Sequence, residues 1–507
     1  MGFLVNASSF AKSQGRSRVV QDCTPLVDAV SETFKRVRAP FFCPGHKRGV
    51  GASPEAMDLI GRTAFQADLC ELPELDSLSS PNGVIMQAET AAAKAFGAKR
   101  TFFLINGSTA GVISSIVAAV RLGRKKIVLP RNAHQSAVHA LVVSGADGVF
   151  LLPEYSEAED VLHGVTPDAV KKALEENSDE IAAVFIVSPT YHGVTSDIAA
   201  IADIAHQHGA LLIVDEAHGA HSSFHEKLPT PALELNADVV VQSTHKTLGS
   251  LTQSAMMHLG KQCSLHDADI HSALSLVQST SPSYLLLSSL DAARAYAAKE
   301  GPTIYDNVVR LAQDARRRIN DIEGLSILEK PESMSEIDPT RLTVCLGELT
   351  GSGFDVDEFL CEKHGVYAEL PSFRHITFIL SIGTSEEDVE RLVSGFESVA
   401  SHFRRPEGDQ GLNVSALVPQ TPAFGEPVIS ARDAFFKMNE QVSLDDAVGR
   451  ICASPVCPYP PGIPVLLPGE KVSAECVDYL KLVLEVGGSV TGAQGDIISC
   501  LILEGNE

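Results

Sequence analysis

No two of the ten cysteines form a Cys-x-x-Cys pair, and Cys452 and Cys457 are the nearest to each other. The spacing of a zinc site is therefore missing, and a chain this large needs no disulfide framework. Thiols kept in a reducing compartment are the expectation. Long apolar runs are also missing. None approaches the ~18 residues of a membrane-spanning helix. Positive charge is scarce: 40 Lys and Arg stand against 64 Asp and Glu, a formal net charge of −24. That balance argues against non-specific nucleic-acid binding and against docking on an anionic membrane. It suits cationic ligands, although solubility alone accounts for it. The first 21 residues hold no Asp or Glu, but do hold Lys12, Arg16, Arg18 and four serines. Two readings stay open for this tail, the end of an organellar transit peptide or a plain disordered terminus. The expected location is accordingly cytoplasm or plastid.

What the sequence does have is an ordinary globular composition, 44% hydrophobic and 21% charged, over 507 residues. At about 150 residues per domain this length suggests about three units. Short apolar runs alternate with helical stretches. Strands are expected near Thr101–Ile105, Lys126–Leu129, Gly148–Leu152, Ala182–Val187, Ala210–Val214, Asp238–Gln242 and Ser254–Leu259. Several of them are wholly apolar, as in strands covered on both faces. The intervening helices include Ala110–Leu122, Thr166–Glu176 and Ile198–His208, the last capped by Ser196 or Asp197. This alternation predicts an α/β fold with a mainly parallel seven-stranded sheet. The division expected is a tail over 1–23, a large unit over 24–300, a smaller α+β unit over 301–405, a linker over 406–427, and a C-terminal α+β unit over 428–507. The second unit should open on a helix, Tyr305–Ile322, with strands Thr343–Leu346 and Ile376–Ile382. A helix from Ser430 should open the third.

Five segments carry chemistry, each weak alone. Ser243-Thr244-His245-Lys246-Thr247 follows a strand, and an amine there, flanked by hydroxyls and an imidazole, suits an imine with an aldehyde cofactor. Asp215 closes the strand before it, where ligands of α/β sheets bind. A buried carboxylate needs a partner, and a protonated pyridine nitrogen would be one. Asn106-Gly107-Ser108-Thr109-Ala110-Gly111 joins a strand to a helix and offers free N–H groups to a phosphate. His134, in Arg131-Asn132-Ala133-His134, stands where it could lie on an aromatic ring. Thr190, in Ser188-Pro189-Thr190-Tyr191-His192-Gly193, could reach a ring hydroxyl. The bland alternatives are a capped turn, a structural histidine and a helix-capping aspartate. Five such residues in order, all expected on one edge of one sheet, are much less easily explained by chance.

With these residues in order, the chain resembles the prokaryotic Orn/Lys/Arg decarboxylases, in their short form. Further motifs carry the resemblance: Phe42-Cys43-Pro44-Gly45-His46-Lys47, Glu71-Leu72-Pro73-Glu74-Leu75-Asp76, Thr280-Ser281-Pro282-Ser283-Tyr284, Tyr459-Pro460-Pro461-Gly462-Ile463-Pro464 and Pro468-Gly469-Glu470. It runs from about Thr24 to Gly495. The resemblance implies the aspartate-aminotransferase fold (fold type I) and pyridoxal 5'-phosphate, with no metal. It implies that Lys246 carries the cofactor as a Schiff base, that Asp215 pairs with the ring nitrogen and that His134 stacks on the ring. It assigns the phosphate to Gly107, Ser108, Thr109, Ser243 and His245, and places Ala217 and His218 beside the ring. Thr280 and the residues to Tyr284 would reach a neighbouring subunit's site, so a homodimer or higher oligomer is expected. Gln135 and His192 depart from the commoner Lys and Tyr.

The implied reaction removes CO₂ from arginine, lysine or ornithine, giving agmatine, cadaverine or putrescine. Either a histidine or Lys246 would return the proton. Glu369 is the first candidate to receive the distal cation of the substrate, with Asp76 and Glu74, from this chain or from the other subunit, as alternatives. Arg374 invites comparison with the carboxylate-gripping arginine of transaminases, a role that a decarboxylase gains nothing from. Two other readings remain open, a transaminase using the same cofactor and a silent paralogue that acts as a binding or regulatory partner.

Overall fold

A computed structural model describes residues 23–177, 180–347, 349–405, 425, 427–459, 462–485 and 488–502. The expected N-terminal tail, except residue 23, lies outside them. So does nearly all of the expected 406–427 linker.

Nine strands build the first part: β1 (Arg100–Leu104), β2 (Lys126–Pro130), β3 (Asp147–Leu151), β4 (Tyr155–Ser156), β5 (Val161–Leu162), β6 (Ile181–Val187), β7 (Leu211–Asp215), β8 (Val239–Gln242) and β9 (Ala255–Leu259). Seven of them form one sheet in the order β1-β9-β8-β7-β6-β2-β3. Only β9 runs against the rest, antiparallel to both β1 and β8. Strands β4 and β5 pair as a separate short hairpin. All seven expected strands are present, with ends displaced by a residue at most. β7 is buried along its whole length, and helices cover both faces of the sheet. This burial explains why the central strands read as unbroken apolar runs.

Local chemistry sets the helix starts. Thr166 accepts from the Ala169 N–H, with Pro167 next to it, and Asp197 accepts from the Ala200 N–H. Such caps satisfy N–H groups that the helix itself leaves unpaired. The helix Gly107–Val120 lies hard on the sheet because residue 111 has no side chain. A Cβ there would stand 2.6 Å from Val241 Cγ1 and 2.8 Å from Leu104 Cδ1.

The expected helix Tyr305–Ile322 is the second half of a longer one, Tyr284–Asn320, which continues through Pro302. A proline normally ends a helix. Here burial overrides that preference: Gly301 packs against Phe224, and Tyr305 is buried with its hydroxyl donating to Thr247 O at 2.8 Å. The helix leads into a four-stranded antiparallel sheet, β10 (Ser326–Ile327), β11 (Arg341–Cys345), β12 (Leu370–Pro371) and β13 (His375–Ile379), in the order β10-β11-β13-β12. The C-terminal part holds the helices Ala431–Phe436 and Ala474–Glu485. Its strands are β14 (Asn439–Ser443), β15 (Cys457–Tyr459), β16 (Ser489–Thr491), β17 (Ala493–Gln494) and β18 (Ile497–Leu501). Among the described residues no helix is long and apolar enough to cross a membrane.

Gly111→Ala is expected to destabilise the chain by about 1–3 kcal/mol, as overpacking does, measured as a lower denaturation midpoint in urea with the m-value unchanged.

Candidate active site

The five chemistry-bearing segments leave the sheet at the carboxyl ends of β1, β2, β6, β7 and β8. One cavity of about 310 Å³ collects Ser108, His134, Thr190, Asp215, Ala217 and Lys246, with His218 beside them. After β1 the chain turns at Gly107, whose φ of +72° is costly for other residues, and enters the helix at Ser108. Ser243, just beyond β8, donates its hydroxyl to Ser108 Oγ at 2.8 Å. This contact joins two segments that lie 135 residues apart. His245 stands alongside with Nδ1 held by Ser254 O at 2.9 Å, which leaves Nε2 as the nitrogen available to a ligand. Thr109 is exposed at the same helix start.

Lys246 sits in the short helix Thr244–Thr247. Its Nζ lies 3.0 Å from His218 Nε2 and 6.0 Å from the centre of the Tyr191 ring. Burial pushes the amine down to about 8, against the opposing pull of Asp215. Asp215 is 5% exposed at the end of β7 and accepts the Ala217 N–H at 3.1 Å. Burial raises its carboxyl, and the Lys246 charge works the other way. His134 caps the helix Gln135–Ser144, its Nδ1 accepting the Ser136 N–H at 3.2 Å. That bond sets the tautomer with the proton on Nε2. Burial, then Lys246, lowers His134 to about 4, so the ring is neutral at ordinary pH. His218 is also buried and lies well below the usual histidine range, from burial first and Lys246 second. Thr190 Oγ1 accepts the Val194 N–H at 3.2 Å and keeps its own proton to donate.

The remaining wall comes from outside the large sheet. Glu369, just before β12, lines the cavity and accepts a hydrogen bond from the Tyr191 hydroxyl. Tyr191 packs on His218 with ring centres 4.6 Å apart. Phe373, His375, Asp160, Ile463, Pro464 and Tyr479 also face the cavity. Sequence reasoning gave Tyr191 no role and named nothing in the C-terminal part as a site wall. The quoted Tyr459–Pro464 motif was the available signal, although its residues 460 and 461 lie outside the described ones.

Other expected residues stand away from the cavity of their own chain. Asp76 is a helix cap: with φ at +70° it accepts N–H groups from Ser77, Asn82, Gly83 and Ile85 at 2.6–3.1 Å, ahead of the helix Val84–Ala95. Glu74 pairs with Arg36 on the surface. Neither lines the cavity of its own chain. Arg374 donates to Glu157 O at 2.8 Å and does not line the cavity either. Tyr284 is fully buried within its own chain and donates to Asp76 O at 2.6 Å, so it does not reach a neighbour. Thr280 is exposed, and the preceding Ser279 N–H donates to Asn106 Oδ1 at 3.1 Å, beside the Gly107 turn.

A buried ion pair holds the C-terminal part over this site. Arg131, on the loop after β2, places Nη2 3.0 and 2.8 Å from the two oxygens of Glu470 and Nη1 2.8 Å from Pro464 O. Both side chains are about 2% exposed or less. Four residues on, Gln135 N–H donates to Gly462 O at 3.0 Å. A Cβ on Gly462 would stand 3.3 Å from His134, so glycine lets this backbone lie against the imidazole. Among the described residues no cluster of His, Cys, Asp and Glu has the makings of a metal site.

Two family models match the chain, "Orn/Lys/Arg decarboxylase, major domain" over residues 24–334 and "Orn/Lys/Arg decarboxylase, C-terminal domain" over residues 418–499. An arginine decarboxylase of Bacillus anthracis is 37% identical over 481 residues, which is 94% of this chain and 96% of the relative. An arginine decarboxylase of Bacillus subtilis is 37% identical over 475 residues, 93% of this chain and 96% of the relative. Among solved structures, lysine decarboxylase A from Pseudomonas aeruginosa superposes with a TM-score of 0.80. It is 22% identical, and the match covers 95% of this chain and 81% of that one. The fold is thus fold type I, as expected. These relatives are bacterial and lend no support to a plastid location.

Removing one partner of the buried pair leaves the other charge stranded, at a cost of about 3–5 kcal/mol. Glu470→Gln is expected to lower the melting temperature and weaken cofactor retention on dialysis. Arg131→Met combined with Glu470→Leu should recover much of the melting temperature.

Proposed function

The chain belongs to the Orn/Lys/Arg decarboxylase family, which makes it a pyridoxal-phosphate-dependent amino-acid decarboxylase, and from that premise we propose that its substrate is arginine and its products agmatine and CO₂. A basic amino acid follows from the family; arginine is supported by the two arginine decarboxylases that align over nearly the whole chain. The observation that carries the assignment of residues is the presence of Lys246 and Asp215 on the wall of one cavity, with Ser108 and Ser243 joined at the helix start.

The residues present fit the cofactor. Asp215 is buried and makes no ion pair among the described residues, so a protonated ring nitrogen would complete it. His134 is neutral and fixed in rotamer, as a ring-stacking imidazole requires. Ser108, Ser243 and His245 surround the start of the helix Gly107–Val120, where free N–H groups receive a phosphate. Bound pyridoxal phosphate supplies an electron sink for the pair left behind when the bond to the carboxylate breaks.

The chain's own side chains do the rest. Lys246 presents an amine whose burial leaves much of it unprotonated near pH 8. Asp215 would hold the proton on the ring nitrogen. Glu369, fixed by the Tyr191 hydroxyl, would receive the distal cation of the substrate. Ile463, Pro464 and Tyr479 of the C-terminal part narrow the entrance and exclude water. The proton returned to the substrate carbon would come from His218 Nε2 or Lys246 Nζ, which touch at 3.0 Å. No arginine lines the cavity among the described residues, so the α-carboxylate is not locked in an ion pair of the transaminase kind. A second copy of the chain would complete the site, since Thr280 stands exposed beside the Asn106–Gly107 turn.

Arginine, lysine and ornithine supplied one at a time are expected to give CO₂ fastest from arginine; equal or faster release from lysine would overturn the arginine assignment. Lys246→Ala should bind the cofactor without the visible absorbance of its lysine adduct. Asp215→Asn is expected to stay folded and to slow CO₂ release by roughly three orders of magnitude; near-normal turnover would refute its role.

A further inference from the structure

Arg341 on β11 is a buried cation that makes no direct ion pair among the described residues, although Asp338 and Glu369 act on its charge from farther off. It is 1% exposed and is among the largest fully buried side chains of the chain. Its Nη2 donates to His218 O at 3.2 Å, while Nε and Nη1 have no hydrogen-bond partner and the side chain makes no ion pair among the described residues. Asp338, three residues earlier, acts on this charge but makes its direct contacts with His221 Nε2 at 2.9 Å and the Thr340 hydroxyl at 2.7 Å. A guanidinium does not shed its proton, so the positive charge stays. An isolated buried charge is costly, and nothing about packing alone requires a charge here.

The fold nevertheless makes room for it. Residue 193 is glycine with φ at +88°, and a Cβ there would stand 2.8 Å from both Cβ and Cγ of Arg341. The turn Thr190–Gly193 thus wraps the stem of the arginine, and Asp338 N–H closes that wrap by donating to Gly193 O at 2.8 Å. The head of the side chain reaches the backbone of the same His218 whose ring touches Lys246 Nζ. Arg341 therefore holds His218 at its carbonyl while Lys246 touches its ring. The groups that face Lys246 from the packed elements are Asp215, His218, His134, Tyr191 and Glu369, and those that face Arg341 are Asp338, His221, His192, Tyr191 and Glu369.

We propose that Arg341 is the positioning residue of the reactive amine: it anchors the His218 turn and sets a buried positive charge behind the Lys246–His218 contact, which favours the amine without its extra proton. The carboxylates of Asp215 and Glu369 pull Lys246 toward the ammonium, and Arg341 opposes them. The same charge works against protonation of His218 and His192. A free amine is what an aldehyde needs. This inference rests on the reading of Lys246 as the cofactor-bearing amine.

The test uses the full-length protein stripped of cofactor. Trinitrobenzenesulfonate labels free amines, and mass spectrometry of the Lys246 peptide reports its labelling rate against pH. Arg341→Met and Arg341→Gln are expected to move the Lys246 midpoint upward by about half a pH unit or more, while Arg341→Lys, which keeps the charge, holds the wild-type midpoint. The visible absorbance of the reloaded proteins should follow the same order in its pH profile. A neutral variant that folds and titrates like wild type overturns the proposal. So does an Arg341→Lys that shifts as far as Arg341→Met, because that outcome means shape and not charge. If neither neutral variant folds, the Arg341→Lys midpoint alone decides. Failure of wild type to take up the cofactor at Lys246 would instead defeat the assignment of the amine.

Discussion

A carboxylate sealed at the end of a central strand is tolerable only beside positive charge, and Asp215 imposes that condition on everything near it. It ends β7, the middle strand of the seven, with four strand ends around it. Burial opposes its ionisation, and the amine of Lys246 opposes the burial. The amine is desolvated in turn. Each group is unstable there without the other or without a ligand that satisfies both. The imidazoles of His134 and His218 line the same cavity without adding a charge.

The strand ends were legible because buried parallel strands are simple to read. Unbroken apolar runs mark them, and the polar residues that follow the runs fall at the ligand edge of the sheet. Asp215 after Leu211–Val214 and Ser243 after Val239–Gln242 are both of this kind. The order of the segments along the chain then becomes proximity in space. Caps were legible for a related reason, since Asp197 and Ser430 act on residues three positions away.

What escaped the reading involves contacts that sequence order does not encode. Asp76 lies in an acidic motif and looked like a ligand for a cation, yet the bonds it makes are to backbone N–H groups of the next helix start. The long helix runs through Pro302 because the surface of Phe224 and the carbonyl of Thr247 compensate for the break. The wall provided by the C-terminal part depends on Arg131 meeting Glu470 across 339 positions. Arg341, on a strand of a different sheet, lies just ahead of the expected strand Thr343–Leu346 and was given no role. Its proximity to His218 follows from how the four-stranded sheet lies over the large one.

The hydroxyl of Tyr305 on the carbonyl of Thr247 has a mechanical consequence. Tyr305 belongs to the helix Tyr284–Asn320, whose far end carries the four-stranded sheet, and Thr247 is the residue after Lys246. The two sheets are thus geared together at the reactive lysine. Any displacement of the outer sheet that moved this helix would be transmitted to the backbone one residue from Lys246. The placement of Glu369, which precedes β12 of the outer sheet, and that of the lysine are thereby mechanically linked.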